Sequence, residues 1–342
     1  MKQLYIHIIF LITILTGCQT NSQYYKVTGF AQGGTYNVTY SPCDSLGNKV
    51  KISPDSLKRV MDKLLLEIDN SLSGYNKGSI LSKANANLDL EVNQLFEEMF
   101  KVSSDIWLET EGKFDPSAAP LFDIWGFGFQ NRDAVTQHKI DSILQFVGMD
   151  KGTICDGKLI KSDPRFKLNF NAIAQGYSCD VLASELDRIG ICNYLVEVGM
   201  EIYCRGVNPS GNLWKIGVDT PEDGNMEAGK SLTGVIEVSD VGIVTSGNYR
   251  KYFIEQGQKF SHTIDPVSGY PVKHNLLSAT IIAHNASLAD AYATYCMVIG
   301  LEEAKSFLGS RPDLKGYLIY GPADGGMETY YTENLKSQLV KQ

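Results

Sequence analysis

The chain has 342 residues, 43% of them hydrophobic and 20% charged, which is an ordinary globular balance that excludes a disordered or fibrous protein. Its 39 acidic against 31 basic side chains leave a formal charge of −8 and argue against bulk nucleic-acid binding, which calls for a basic face. An acidic protein that takes an anionic ligand needs a local device, such as a helix N-terminus, a Gly-rich turn or a bound cation.

The first residues read as a targeting segment rather than part of the fold. "MKQLYIHIIFLITILTGCQT" has Lys2, an apolar run from Ile8 to Leu15, and then Gly17-Cys18. The run is short for a permanent membrane anchor and suits a signal h-region. A small residue just before Cys resembles a bacterial lipobox, which implies a signal peptide over 1–17, a lipid on Cys18 and a tether over 18–25. One folded domain is expected over 26–342. The other cysteines, at 43, 155, 179, 192, 204 and 296, are irregularly spaced with no C-x-x-C, so a zinc site is not expected. Disulfides and buried thiols both remain open.

Along the chain, "KVTGFAQGGTYNVTY" reads as strand broken at Gly33-Gly34. "SPDSLKRVMDKLLLEIDNSLS" starts with a Ser/Asp cap and shows helical apolar spacing, and "EVNQLFEEMFKVSSDIWLETEG" reads as a second amphipathic helix closed by Gly112. "DSILQFVGM" suggests a short helix, and "LNFNAIAQGYSCDVLASELDRIG" a strand-like segment running into another helix. Strands then dominate, through "YLVEVGMEIYCRG", "LWKIGVDTP", "GVIEVSDVGIVTSG", "YFIEQGQKFSHTI" and "LLSATIIAHN". Two helices, "SLADAYATYCMVIG" and "LEEAKSFLGS", precede the closing strands "KGYLIYG" and "METYYTEN". Because helices and strands come in blocks, the fold class is α+β with a mainly antiparallel sheet and packed helices.

Several stretches carry groups suited to chemistry. Asp290 and Thr294, four apart on one helix, share a face and offer hard oxygen donors for Mg²⁺ or Ca²⁺. The plainer reading is that Asp290 favours an early helical turn and Thr294 packs. Ala172, Ala174 and Gly176 let backbone approach a ligand at a helix start. Phe114, Phe122, Trp125 and Phe127 could be core or could wall a pocket for a planar ring, and Tyr75 sits among turn formers. Arg250, after the turn Ser246-Gly247-Asn248, offers a planar cation to a phosphate. In "FSHTIDPVSGYPV", His262 stands at a strand end before a turn stiffened by Pro266 and loosened at Gly269, so it is either structural or an aimed general base.

Taken together, "GGTYNVTY", "SLSGYNKGSILSKAN", "GKFDPSAAPLFDIWGFG", "LNFNAIAQGYSCDVLASEL", "LVEVGMEI", "IVTSGNYRKYF", "SHTIDPVSGYPV" and "ADAYATYCMVIG" resemble the ApbE family in order and spacing. These are bacterial FAD:protein FMN transferases, usually exported lipoproteins, of T-fold-like architecture. The resemblance implies transfer of FMN from FAD to a Ser or Thr of a partner protein, with AMP released. It implies FAD contacts at Gly33, Tyr75, Lys113, Phe114, Asp115, Asn169, Gln175 and Ile264. It implies Mg²⁺ at the Ala172 carbonyl, Asp290 and Thr294, with His262 as candidate base. It also implies a membrane-anchored protein on the periplasmic side, through lipid on Cys18, in the outer or inner membrane; Gln19 after that Cys favours the outer one.

The chain departs from the family at several of these positions. Relatives often carry Met at the position of Gly33, Asp at Asn169, Lys at Gln175 and Gly at Met200; for Met200 no consequence follows from sequence alone. Two other readings use the same residues: a Mg²⁺-dependent FAD pyrophosphatase, and a non-catalytic flavin-binding lipoprotein. The family's acceptor segment, D-G-x-[ST]-G-x-[ST], has only a poor match here, "ADGGMET" near Asp324, so self-modification is not expected.

Overall fold

The computed structural model describes residues 23–129, 135–222, 229–249, 252–255, 258–322 and 325–340, with side chains not described over 250–260. The signal segment, Cys18 and Arg250 lie outside the described residues.

Local signals set the elements. Strands β1 (Tyr25–Ala31) and β2 (Gly34–Tyr40) form a hairpin through Gln32–Gly33. Helix α1 (Pro54–Leu72) begins where the Ser53 hydroxyl accepts from the Ser56 N–H at 3.2 Å with Pro54 at the first position. Its Leu57, Met61, Leu65, Ile68 and Leu72 recur three and four apart and are buried. A short α2 (Ile80–Asn85) follows, then α3 (Gln94–Glu109), capped by Asn93, whose side chain accepts from Phe96 N–H. Next come α4 (Ala119–Trp125), α5 (Gln137–Leu144) and a hairpin of β3 (Gly152–Cys155) and β4 (Lys158–Lys161). Helix α6 (Ala174–Arg188) leads into β5 (Tyr194–Val198), β6 (Glu201–Arg205), β7 (Trp214–Asp219), β8 (Leu232–Val238) and β9 (Val241–Gly247). The chain ends with β10 (Tyr252–Glu255), β11 (Gln258–Ser261), β12 (Leu276–Ala283), α7 (Ala286–Ile299), α8 (Leu301–Ser310), β13 (Lys315–Tyr320) and β14 (Glu328–Tyr331).

The main sheet has eight strands in the order β1-β2-β5-β6-β9-β12-β13-β14, and each neighbouring pair is antiparallel. The α+β reading with antiparallel sheet therefore holds. Helices α1, α6 and α7 build the large core on one face. The β7–β8 hairpin and Leu335 bury Cys204, Ile243, Ile282 and Ile319 on the other. Covered on both sides, β12 is buried at all but one residue and reads as a continuous apolar run rather than an alternating one.

Two local expectations change. Leu168–Phe170 is not a strand: Asn85 takes its backbone instead, donating to Leu168 O and accepting from Leu168 N, both at 2.8 Å. The aromatic block after Pro116 contains helix α4, with Pro120 near its start and Gly126 at φ +80° closing it.

Candidate active site

One cavity of about 580 Å³ opens where the end of α7, the start of α6, the β5–β6 turn, the end of β9 and the loop after β11 converge. Tyr75, Lys113, Phe114, Asp115, Asn169, Ala172, Gln175, His262, Ile264, Asp290 and Thr294 all line it. Gly33 is not among the lining residues; it sits in the β1–β2 turn with open space around its Cα.

The acidic wall comes from α7. Two glycines press this helix between its neighbours. A Cβ added at Gly176 of α6 would lie 2.3 Å from Ala286 O, and one at Gly242 of β9 would lie 2.3 Å from Ala286 N. Asp180, reaching from α6, accepts from Ala286 N–H at 2.7 Å and Ser287 N–H at 2.9 Å, while Asn285 accepts from Leu288 N–H. The helix start is thus already supplied with acceptors, and Asp290, in the next turn, is not needed there. Its carboxylate is 5% exposed and accepts one hydrogen bond, from Gly176 N–H at 3.1 Å. Burial pushes the Asp290 carboxyl up to about 7, the Gly176 N–H opposes this, and the nearby Asp180 charge adds to it. Burial likewise raises Asp180. One turn on, Thr294 Oγ1 lies 3.3 Å from Ser246 Oγ of β9.

These residues fit a hard cation. The buried Asp290 and the half-buried Asp180 repel one another across α6 and α7, Asp290 lines the cavity, and two hydroxyls and Ala172 line it too. Oxygen donors with a single carboxylate suit Mg²⁺, which retains room for phosphate oxygens. Among the described residues no cluster of three or more His, Cys, Asp or Glu forms a metal site, and the six described cysteines are unpaired thiols.

A second wall is the stretch around His262, which follows β11 directly. Thr263 and Val272 pair across the loop at 3.0 Å, and Asp265 N–H donates to Tyr270 O at 2.9 Å. Gly269 takes φ +77°, and its carbonyl accepts from Trp125 Nε1 at 2.9 Å. Ile264 is 1% exposed and packs with Leu121, Ile140 and Ile143 of α4 and α5. Lys113 Nζ bridges both Asp265 oxygens at 3.0 Å. The turn is therefore fastened by a core side chain, an indole hydrogen bond and an ion pair, and His262 projects into the cavity with its ring edge-on to Phe127.

The aromatic residues divide. Tyr75 is 64% exposed at the mouth, held edge-on to Phe129 at 5.0 Å and accepting from Asn171 Nδ2 at 3.2 Å. Phe114, expected to hold a ring, is 2% exposed and belongs to the core, so it backs the wall rather than offering an open face. Trp125 does not line the cavity. Beside Phe114, burial pushes the Asp115 carboxyl up to about 7, against hydrogen bonds from Ser117 N–H, Ser117 Oγ and Trp107 Nε1.

Sequence reasoning missed Ser246, Asn171 and Asp180. Ser246 read as part of a turn, and nothing in the segment running into the helix singled out Asn171 or Asp180. The pairing of β9 with β12 sets Ser246 on the cavity, the packing of α6 on α7 sets Asp180 beside Asp290, and Asn171 lines the cavity from the loop before α6.

The ApbE family profile matches residues 33–318. The chain is 31% identical over 335 residues to the FAD:protein FMN transferase of Vibrio cholerae, covering 96% of this chain and 97% of that protein. It is 32% identical over 295 residues to the Escherichia coli K12 FAD:protein FMN transferase, covering 84% and 82%. Its fold superposes on the flavin transferase ApbE from Vibrio cholerae with a TM-score of 0.79 at 29% identity, covering 92% of this chain and 99% of that one. For the apo flavinyl transferase ApbE of Pseudomonas stutzeri the TM-score is 0.81 at 27% identity, covering 92% and 96%. With its fold, its cavity and these likenesses in agreement, the chain belongs to the ApbE family.

Proposed function

We propose that this protein is a Mg²⁺-dependent FAD:protein FMN transferase. It moves the FMN half of FAD onto a Ser or Thr hydroxyl of a partner protein and releases AMP. The observation that carries the reading is the convergence on one cavity of Asp290 and Thr294 from one face of α7 with His262 from the loop after β11.

Magnesium held by Asp290, Thr294 and the Ala172 carbonyl would neutralise the pyrophosphate and ease departure of AMP. His262 takes the proton from the acceptor hydroxyl as its oxygen attacks the FMN phosphorus and the bond from phosphorus to the AMP oxygen breaks. The turn that fastens His262 fixes the direction of that proton transfer, so the protein's work is mostly positioning. Tyr75 offers its open face to a planar ring at the mouth. Asn169 and Gln175, uncharged, offer hydrogen bonds to FAD without adding charge to the site.

Chromatography of the nucleotides tests this reading. AMP release that depends on an acceptor carrying the D-G-x-[ST]-G-x-[ST] segment supports transfer. Equal release of AMP and free FMN without acceptor supports hydrolysis instead.

We also propose export and lipid anchoring at Cys18, supported by the apolar run ending in Gly17-Cys18. Cys18→Ser should shift the protein from the membrane to the soluble fraction of cells. Unchanged sedimentation would refute the anchor.

A further inference from the structure

Among the described residues, three hairpins close on two residues that both have positive φ. They are Gln32–Gly33 between β1 and β2, Asp156–Gly157 between β3 and β4, and Gly199–Met200 between β5 and β6. Positive φ at both central positions matches the twist of the flanking strands, and it favours Asn, Asp and Gly. The first two turns place Gly second. The third places Met200 there, at φ +91°. A side chain with a Cβ is strained in this region, and such strain persists where the surroundings or the function sustain it.

Where the side chain goes supplies the second observation. Met200 lines the cavity. Among the described lining residues, the two large apolar side chains left open to solvent are Tyr75, at 64%, and Met200, at 44%. The other side chains that line this corner, Gln175 and Glu201, are polar. A Cβ added at Gly199, itself at φ +66°, would lie 1.9 Å from Gln175 Nε2 and 3.1 Å from Glu201 Oε2, so a side chain there would push these two ends aside. The adjacent β1–β2 turn contributes glycines: the Cβ of a residue at 34 would lie 3.7 Å from Gly199 Cα, and Gly33 faces open space. Of the two central residues of the β5–β6 turn, Met200 is the one with a side chain, and it lines the cavity.

We infer that Met200 is a binding residue for a planar ring of FAD, laid over the cavity lip by the strained turn. A thioether is flexible and polarisable and packs well against aromatic rings. The inference rests on the proposed function, since it takes FAD to be the ligand. Both halves of FAD carry a planar ring, isoalloxazine or adenine, so the experiment must separate them.

Equilibrium binding of FAD, FMN and AMP, thermal unfolding without ligand, and KM and kcat for FAD are measured for wild type, Met200→Gly and Met200→Leu. Met200→Gly relieves the strain and removes the cover. It should melt higher than wild type, bind FAD about tenfold more weakly, and raise KM while leaving kcat nearly unchanged. Met200→Leu keeps the apolar bulk and the strain; it should hold FAD within about threefold of wild type and gain no thermal stability. A loss confined to FMN assigns the isoalloxazine ring to Met200, and a loss confined to AMP assigns adenine. Wild-type FAD affinity in Met200→Gly, no gain in its melting temperature, or a loss shared equally by FMN and AMP would overturn the inference. A wild-type protein that binds no FAD would instead overturn the proposed function.

Discussion

Replacing Gly176 with alanine tests how the metal-facing wall is built. The new Cβ would lie 2.3 Å from Ala286 O and 2.9 Å from Asp290 Cβ, roughly 1 Å inside ordinary contact for the first. Neither neighbour can yield easily. Ala286 is the first residue of α7, held by Asp180 on one side and pressed by the Gly242 backbone on the other. Helix α6 must therefore move, taking with it the Gly176 N–H that donates to Asp290. Alanine gains up to about 1 kcal/mol of helix propensity, but overpacking against fixed backbone costs about 2–3 kcal/mol. The net loss of roughly 1–2 kcal/mol corresponds to a melting temperature lower by about 2–6 °C. A displacement of this size beside the reacting groups should slow FMN transfer by about 10–100-fold. Differential scanning fluorimetry and a transfer assay read both effects. Gly309→Ala is the control: on α8, an added Cβ there meets nothing within 4 Å, so the same substitution should stabilise by about 0.5–1 kcal/mol with transfer unchanged. If Gly176→Ala melts at or above wild type and transfers at the wild-type rate, the close approach of α6 and α7 does not position Asp290.

Asp290→Ala should abolish Mg²⁺-dependent transfer; wild-type turnover in the variant would refute Asp290 as a metal ligand. His262→Ala should slow transfer while FAD binding, followed by quenching of flavin fluorescence, stays near wild type, and a wild-type transfer rate would remove His262 from the proton transfer. Lys113→Met removes a cation from the cavity wall, breaks its partly buried pair with Asp265 and loosens the turn that carries His262. Transfer should fall while the melting temperature drops by only a few degrees, roughly 1 kcal/mol. Burial raises the Asp115 carboxyl to about 7, above its unfolded value, so the fold loses stability as pH rises toward 7. This group should lower stability by about 2 kcal/mol between pH 5.5 and pH 8, and Asp115→Asn should flatten that part of the melting-temperature profile.

Much of this was legible from the amino-acid order because it depends on local rules. Ser53 announces the helix it caps, and the apolar spacing after it marks the buried face. The four-residue spacing of Asp290 and Thr294 puts both on the same wall whatever surrounds the helix. The stiff turn after His262 needed only Pro266 and Gly269 to be anticipated. What was not legible depends on which elements touch. Nothing local distinguishes Gly176 from any small residue until α7 lies against it. Phe114 and Tyr75 are both aromatics beside turns, yet one is core and the other open. Asn85 replaces a strand pairing at Leu168 through a contact 83 residues distant in sequence. Met200 looked inconsequential in sequence, because only the backbone reveals the turn that strains it.

The most direct measurement is the intact mass of an acceptor protein carrying the D-G-x-[ST]-G-x-[ST] segment after incubation with this protein, FAD and Mg²⁺. The account predicts an acceptor heavier by one FMN group, one AMP released per group attached, and neither product when Mg²⁺ is chelated. An unmodified acceptor beside intact FAD, or beside free FMN and AMP, would contradict it.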